Sequence, residues 1–438
     1  MSVDTEAAFA DAVGYLADPG YPCALGVAVS GGGDSMALLH LAARWASTQR
    51  FVIHAVTVDH GLRPEAAKEA QVVAAHCSAL GLRHSTLRWT GWDGRGNLQD
   101  AARQARRRLI CDWAKAHFVG AVLLGHTADD QAETVLMRLA RGSGVDGLAG
   151  MTRNHQPDGV DWHRPLLSFR RADLRQWLLA EKIVWIEDPS NDDLRFDRIK
   201  ARAMMGHLAA LGLSADRLLR TAEHMQLAQV TLRAAALDFA KEHVWQVDGD
   251  LVLLPAVFDL TKSDSPGRVL AAALGWMNGS AYRPRYASLF GLADKIKAGL
   301  PSTLAGSIAQ PHPDGTCRLM RELNAVQPDI TVNDDGCSAV RWDKRWLVAP
   351  RQLKRSWIAG GKLNEFPRIA VGLRIGALGD VGLLSCPGWR ATGIPRASLL
   401  ASPAVWQGDR LIAAPLAGFN EAWQARIVAD FHSWLVSH

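Results

Sequence analysis

The sequence predicts an α/β fold built on a parallel sheet, followed by a mainly helical middle region and a small β-rich α+β end. Three observations carry this prediction. Strand-like and helix-like segments alternate eight times between residues 26 and 140, which is the pattern of a parallel sheet covered on both faces. The alternation stops after about residue 205, where longer apolar-periodic stretches take over. Beyond about residue 330 short strand signals with scattered Gly and Pro dominate. We therefore expect three domains, at 1–208, 209–330 and 331–438, in line with a length of 438 residues.

Residues 3–17 read as an amphipathic lead-in helix. The core then runs strand 26–30, helix 35–47, strand 51–58, helix 64–80, strand 83–88, helix 97–117, strand 121–125 and helix 128–140. In such sheets ligands sit beyond the carboxyl ends of the strands. The polar residues fall there: Ser30–Ser35 after the first strand, Asp59-His60-Gly61 after the second and Gly125-His126 after the fourth.

Gly26–Ala37 reads G-V-A-V-S-G-G-G-D-S-M-A. A small-residue strand passes through Gly31, Gly32 and Gly33 into a helix. The glycines allow close backbone approach, and free amides at the turn and helix start form a nest for anionic oxygen. Ser30 and Ser35 add hydroxyl donors. No Lys follows the last glycine, so this is not a Walker loop. Asp34 inside an anion nest calls for a cation, and Mg²⁺ between its carboxylate and phosphate oxygens meets that need.

At the second strand exit, the backbone of Val58 can pair with a base edge while His60 lines the mouth. In Asn97–Leu109, Arg103, Arg106 and Arg107 stand three and four apart. Such a run is a solvated basic face or a set of phosphate contacts. In Gly125–Gly147, His126, Asp130 and Glu133 gather acids at one end of a helix, a pocket suited to a cationic small molecule such as a free amino acid.

The phosphate loop, V-D-H-G-L-R, A-R-x-x-R, H-x-x-D-D-x-x-E-T-x-L and R-G-S-G-x-x-G-L-x-x-M occur in that order, followed by Arg164-Pro165-Leu166-Leu167 and Trp185-Ile186-Glu187-Asp188-Pro189-Ser190-Asn191. The first loop resembles that of the ATP pyrophosphatases. The whole set resembles the tRNA(Ile)-lysidine synthetases over about residues 20–205. The resemblance implies a Rossmann-like PP-loop catalytic domain using ATP and Mg²⁺, and a tRNA(Ile) with a CAU anticodon and L-lysine as substrates. ATP would adenylate the wobble cytidine and the lysine ε-amine would displace AMP. Ser30–Ser35 would hold the phosphates with Asp34 on Mg²⁺, joined by Val58, His60 and Gly125 around the nucleotide. Arg103 or Arg106 would serve the activated phosphate. His126, Asp130, Glu133 and Arg202 would bind lysine, with Glu133 or Asp130 taking the proton from its amine. Two positions depart from the family pattern: Arg107 replaces the usual Tyr, and Arg198-Ile199-Lys200-Ala201-Arg202 lacks the usual Asn.

Residues 214–242 and Pro266–Ala298 read helical, strand signals follow at 303–309 and 316–320, and Asp334-Asp335-Gly336 reads as a turn and boundary. The stretch with Arg341, Trp342, Lys344, Arg345, Trp346, Arg351, Lys354, Arg355 and Trp357 suits base stacking with phosphate neutralisation, or a solvated edge over buried Trp. Six cysteines without a C-x-x-C pair, and no apolar run near the ~20 residues of a membrane span, suit a cytoplasmic protein with reduced thiols. The net charge of +5 permits a polyanionic partner. A homodimer stays open. The alternatives are a tRNA sulfur-insertion enzyme of the same fold, with Cys77 or Cys111 as a lone sulfur carrier, an amide-forming ligase such as an NAD, GMP or asparagine synthetase, and an idle RNA-binding protein. The ligase leaves the C-terminal basic–aromatic stretch unexplained, and the last gives no reason for Asp34, Asp130 and Glu133 to occur together.

Overall fold

The computed structural model describes residues 4–17, 23–49, 51–61, 66–92, 98–156, 159–187, 197–280, 283–333, 338–351 and 369–437. The chain divides into two compact units, Met1–Gln229 and Val230–His438.

The first unit is built on a six-stranded sheet. Its strands are β1 (Ala24–Ala28), β2 (Val52–Asp59), β3 (Arg83–Arg88), β4 (Ala121–Leu124), β5 (Asn154–His155) and β6 (Asp161–His163), in the order β3-β2-β1-β4-β6-β5. All neighbours are parallel except β5 with β6. Helices α1 (Thr5–Val13), α2 (Gly33–Ser47), α3 (Ala66–Ala79), α4 (Leu98–Ala116) and α5 (Ala128–Ala140) follow the expected order. β1 is central, and its residues Leu25 and Val27 are fully buried, as expected of a strand covered on both faces. Gly26 is required by packing: a Cβ there would lie 3.1 Å from both the Trp113 ring and Val119.

Two apolar layers sandwich the sheet. One joins α1 and α2 to Leu25, Val27, Ile53 and Leu123, and the other joins Ile110, Trp113 and Ala114 of α4 to Val56, Val122 and Trp162. Beyond the sheet come α6 (Val145–Leu148), α7 (Arg171–Ala180), α8 (Asp197–Ala210) and α9 (Ala215–His243). The division between the two units falls within the continuous helix α9.

The second unit contains, beside α10 (Asp264–Asn278) and α11 (Tyr286–Lys297), a five-stranded antiparallel sheet. It is formed by β7 (Val244–Val247), β8 (Asp250–Leu253), β9 (Ser302–Leu304), β10 (Ser307–Pro311) and β11 (Cys317–Arg321). The middle region is thus more mixed than its helical periodicity suggested, since β7 and β8 are short strands with little alternation. The boundary expected at 330/331 lies inside this unit. Phe431 and Leu435 pack in one core with Leu251, Phe258 and Trp276, and buried Arg321 pairs with buried Asp343 at 2.8 Å. The turn at 334–336 that suggested a boundary lies outside the described residues.

In the described part of the basic–aromatic stretch the base-stacking reading is corrected in favour of buried Trp. Trp342 is 0% and Trp346 4% exposed, and the buried Arg345 guanidinium lies 4.8 Å from the Trp276 ring and 5.8 Å from that of Trp346. These rings form core, because β12 (Val340–Trp342) and β13 (Trp346–Pro350) turn Trp342, Trp346 and Val348 inward. Lys354, Arg355 and Trp357 lie outside the described residues. Among the described residues no helix is long and apolar enough to cross a membrane.

Candidate active site

The loop after β1 is folded by its own short bonds. The Ser30 N–H donates to Ser35 Oγ (3.1 Å), and the Ser35 hydroxyl donates to the Gly32 carbonyl (2.9 Å). The two serine hydroxyls are 3.2 Å apart. Gly31 has φ +90, and a Cβ there would lie 2.7 Å from Ile186 Cδ1. The Ile186 N–H also donates to the Gly31 carbonyl (2.9 Å). α2 starts at Gly33 with Gly32 as its N-cap and no side-chain cap, so its first-turn amides remain available to anionic oxygen. Gly125, at the end of β4, passes against this turn: a Cβ at 125 would lie 3.2 Å from the Asp34 carbonyl oxygen. Ser30, Gly31, Gly32, Gly33, Ser35 and Gly125 thus form one backbone-built cradle.

Asp34 points from the first turn of α2 toward α7. Arg171 Nε donates to its Oδ2 at 2.9 Å, while Oδ1 is buried with no hydrogen-bond partner. Burial raises its pKa, only partly opposed by Arg171. A carboxylate oxygen without a donor, beside an anion nest, fits a hard cation such as Mg²⁺.

The acids of α5 meet the same arginine. Thr127 and Asp130 form a capping box, with the Thr127 N–H donating to Asp130 Oδ2 at 2.8 Å. Arg171 Nη2 donates to Asp130 Oδ1 (2.8 Å), and the Arg171 backbone N–H donates to Asp129 Oδ2 (2.7 Å). Glu133 is 2% exposed and is held by Arg202 Nε (2.8 Å) and Arg198 Nε (3.0 Å), with Arg171 Nη1 at 3.5 Å. Burial works against the charge on Asp130, but Arg198, the Thr127 N–H and Arg171 together hold its pKa below the usual range. The structure does bring Asp130 and Glu133 together. It differs from the expected acid pocket in filling it with guanidinium groups, since buried carboxylates need compensation. Arg202, expected as a substrate contact, serves Glu133. A cavity of about 280 Å³ adjoins, lined by Asp129, Glu133, Arg170, Arg171, Arg202 and Met205 among others.

His126 stands between these acids and a cluster of arginines. Burial, with help from Arg164, lowers its pKa to about 4, and its Nδ1 is buried without a partner. Arg106 acts on both His126 and His60, lowering their pKa values alongside burial, so it faces this end of the sheet. Arg103 similarly disfavours the charge on Arg138 and Arg164. Arg138 is pinned by Nη1 bonds to the Gly147 and Gly150 carbonyls, both 2.8 Å, and Arg164 Nη1 donates to Thr152 (2.7 Å). At the β2 exit the last β1–β2 pair is Ala28↔Val56, whereas β2–β3 pairing continues to Asp59↔Arg88. Val58 therefore lies past the point where β1 covers the edge of β2. Of the expected motifs, Leu62-Arg63, Asn97 and Asp188–Asn191 fall outside the described residues.

Arg171 is the principal residue that motif reading missed. A signal existed: Arg170 and Arg171 stand at the start of α7, where the helix dipole disfavours cations. Such a placement needs acids opposite, and Asp34, Asp129 and Asp130 supply them. Arg138 and Arg198 were likewise without an assigned role.

A PP-loop domain model matches residues 8–208. A tRNA(Ile)-lysidine synthase of Ruegeria pomeroyi is 43% identical over 420 residues, covering 95% of each chain. That of Mesorhizobium japonicum is 34% identical over 399 residues, covering 89% of this chain and 83% of its own. That of Wolbachia pipientis is 35% identical over 329 residues, covering 73% and 75%. Its loop, its acids on α5 and this similarity along nearly the whole length agree: the chain belongs to the tRNA(Ile)-lysidine synthase family.

Proposed function

We propose that this protein cleaves ATP to AMP and pyrophosphate to join L-lysine to C2 of the wobble cytidine in a tRNA(Ile) with a CAU anticodon, by way of an adenylated tRNA. The observation that carries this reading is the joining, through one arginine, of a phosphate cradle to an acid pair at the open end of the sheet.

Ser30, Ser35 and the amides around Gly31–Gly33 bind the triphosphate, with Gly125 keeping the approach open. The β2 edge at Val58 receives adenine beside His60. Asp34 Oδ1 is the group that would hold Mg²⁺, which would neutralise charge on the phosphates. Arg106 faces the activated phosphate, and Arg103, Arg138 and Arg164 form a basic wall for RNA phosphates. Asp130 takes the ammonium of lysine.

The ε-amine has a reference pKa near 10.4 and attacks only when neutral. Asp130 is a weak base because its charge is stabilised, and Glu133 is clamped by its arginines. His126 is no better a proton acceptor, since burial lowers its pKa to about 4 and its Nδ1 is buried without a partner. Sulfur insertion through a lone cysteine is disfavoured. Burial pushes the Cys77 thiol up to about 11, and Cys111 is 2% exposed.

The test is pyrophosphate release from ATP with lysine and a CAU-anticodon tRNA(Ile) transcript, followed by nucleoside mass analysis. Release that requires the tRNA, with a lysine-sized mass gain on cytidine, is expected. Release without that gain would overturn lysine as the nucleophile.

A further inference from the structure

Arg171 touches every carboxylate that matters in the site. Its Nε holds Asp34 Oδ2, its Nη2 holds Asp130 Oδ1, and its Nη1 lies 3.5 Å from Glu133 Oε1. Its backbone N–H is fastened to Asp129 Oδ2, so the side chain turns about a fixed point. The other cations near these acids are unevenly shared. Glu133 has Arg198 and Arg202 within 3.0 Å, and so stays compensated if Arg171 moves. Among the described residues Asp130 has only Arg198 besides, at 3.8 Å. Asp34 has no other ion pair among the described residues, since nearby Arg175 is paired with Glu187 at 3.2 Å.

On the functional reading above, we infer that Arg171 is a positioning residue that couples the nucleotide to the amine pocket. While it bridges Asp34 and Asp130, it occupies the carboxylate that a lysine ammonium needs. A magnesium-bound triphosphate is still net anionic. Seated in the cradle next to Asp34, it draws the Arg171 guanidinium toward the loop and uncovers Asp130. Lysine then binds better to the nucleotide-loaded protein, and by linkage the nucleotide binds better to the lysine-loaded one.

The experiment is equilibrium dialysis of labelled lysine against the full chain, with and without saturating Mg²⁺ and the uncleavable α,β-methylene analogue of ATP. The native protein is expected to bind lysine on the order of 10-fold tighter with the analogue, within the usual range of coupling between sites. Arg171→Gln is expected to bind lysine without the analogue as tightly as the native protein does with it, with the ratio falling to about one. A purely structural role predicts the opposite sign, weaker binding in both states. Arg171→Lys keeps the charge but cannot span both carboxylates, and serves if the Gln variant does not fold; its ratio should also fall. A native ratio of one, or a variant that keeps the native ratio, overturns the coupling. Lysine binding without coupling refutes this inference alone. Binding of the analogue with no lysine binding in any state refutes the lysine reading together with it.

Discussion

Gly125 and Asp34 meet backbone to backbone: a Cβ at 125 would stand 3.2 Å from the Asp34 carbonyl oxygen and 3.2 Å from Ser35 Cα. Backbone cannot swing aside as a side-chain tip can, so β4 and the start of α2 must separate to admit a methyl. The strain falls on the turn that carries Ser35, whose hydroxyl closes the loop. Gly125→Ala is therefore expected to raise the KM for ATP about 10-fold while costing about 1–3 kcal/mol of stability, a typical overpacking cost. Pyrophosphate-release kinetics and a denaturant melt read the two effects separately. An unchanged KM would show that the cradle tolerates the displacement.

The basic wall makes a second prediction. Arg103, Arg106, Arg138 and Arg164 have no ion pair among the described residues, and Arg164 Nε is buried without a partner. Arginines that repel one another and lack acids await a polyanion. Arg164→Gln should weaken tRNA binding several-fold and reduce the slope of log K against log salt by roughly 1, the loss of one phosphate contact. Filter binding between about 50 and 200 mM salt gives both quantities. An unchanged slope would place Arg164 off the RNA.

Trp346 tests the corrected role of the basic–aromatic stretch. It lies against Gly249, where a Cβ would approach the ring to 2.4 Å, and it is 4% exposed. Trp346→Ala is expected to destabilise the protein by about 3–5 kcal/mol, as for other large core truncations. Below its melting temperature, tRNA affinity should stay unchanged. A loss of affinity without loss of stability would restore the stacking role.

These cases mark what was legible in the sequence. Helix 128–140 and strand 83–88 match to the residue, because hydrophobic period and the flanking polar turns agree with the tertiary packing. The cradle was legible because its turn has a local cause, Gly31 at φ +90 within a contiguous glycine run. The burial of Trp342 and Trp346 was not, because it comes from residues distant in sequence: Trp423 on β14 (Trp423–Ile427) shares their core, and the Arg345 guanidinium lies between the rings of Trp346 and of Trp276 on α10. The same holds for Arg171, which meets Asp34 across 137 positions and Asp130 across 41. Spacing rules describe one element at a time. They place Asp130 and Glu133 on α5 but say nothing of the arginines that α7 and α8 bring to them.

Two histidines with strongly lowered pKa values contribute to the pH dependence of stability. His40 is 8% exposed, and its Nε2 lies 3.3 Å from His76 Nδ1. Burial, then the charges of His76 and Arg44, lowers its pKa to about 4. Burial and Arg164 do the same to His126. In the unfolded chain both titrate near 6.5. Between about pH 6.5 and pH 4 the unfolded state thus binds protons that the folded state refuses, and stability falls as the pH is lowered. Above 6.5 both states are neutral at these positions and the effect vanishes. The melting temperature is expected to drop steadily from pH 6.5 to 4. His40→Gln, which cannot take up a proton, should flatten that slope while leaving the His126 part in place. Thermal melts of the native and variant chains across this range read the difference directly. A slope that His40→Gln leaves unaltered would show that His40 is already protonated within the fold, and that its charge is met by Glu181 rather than refused.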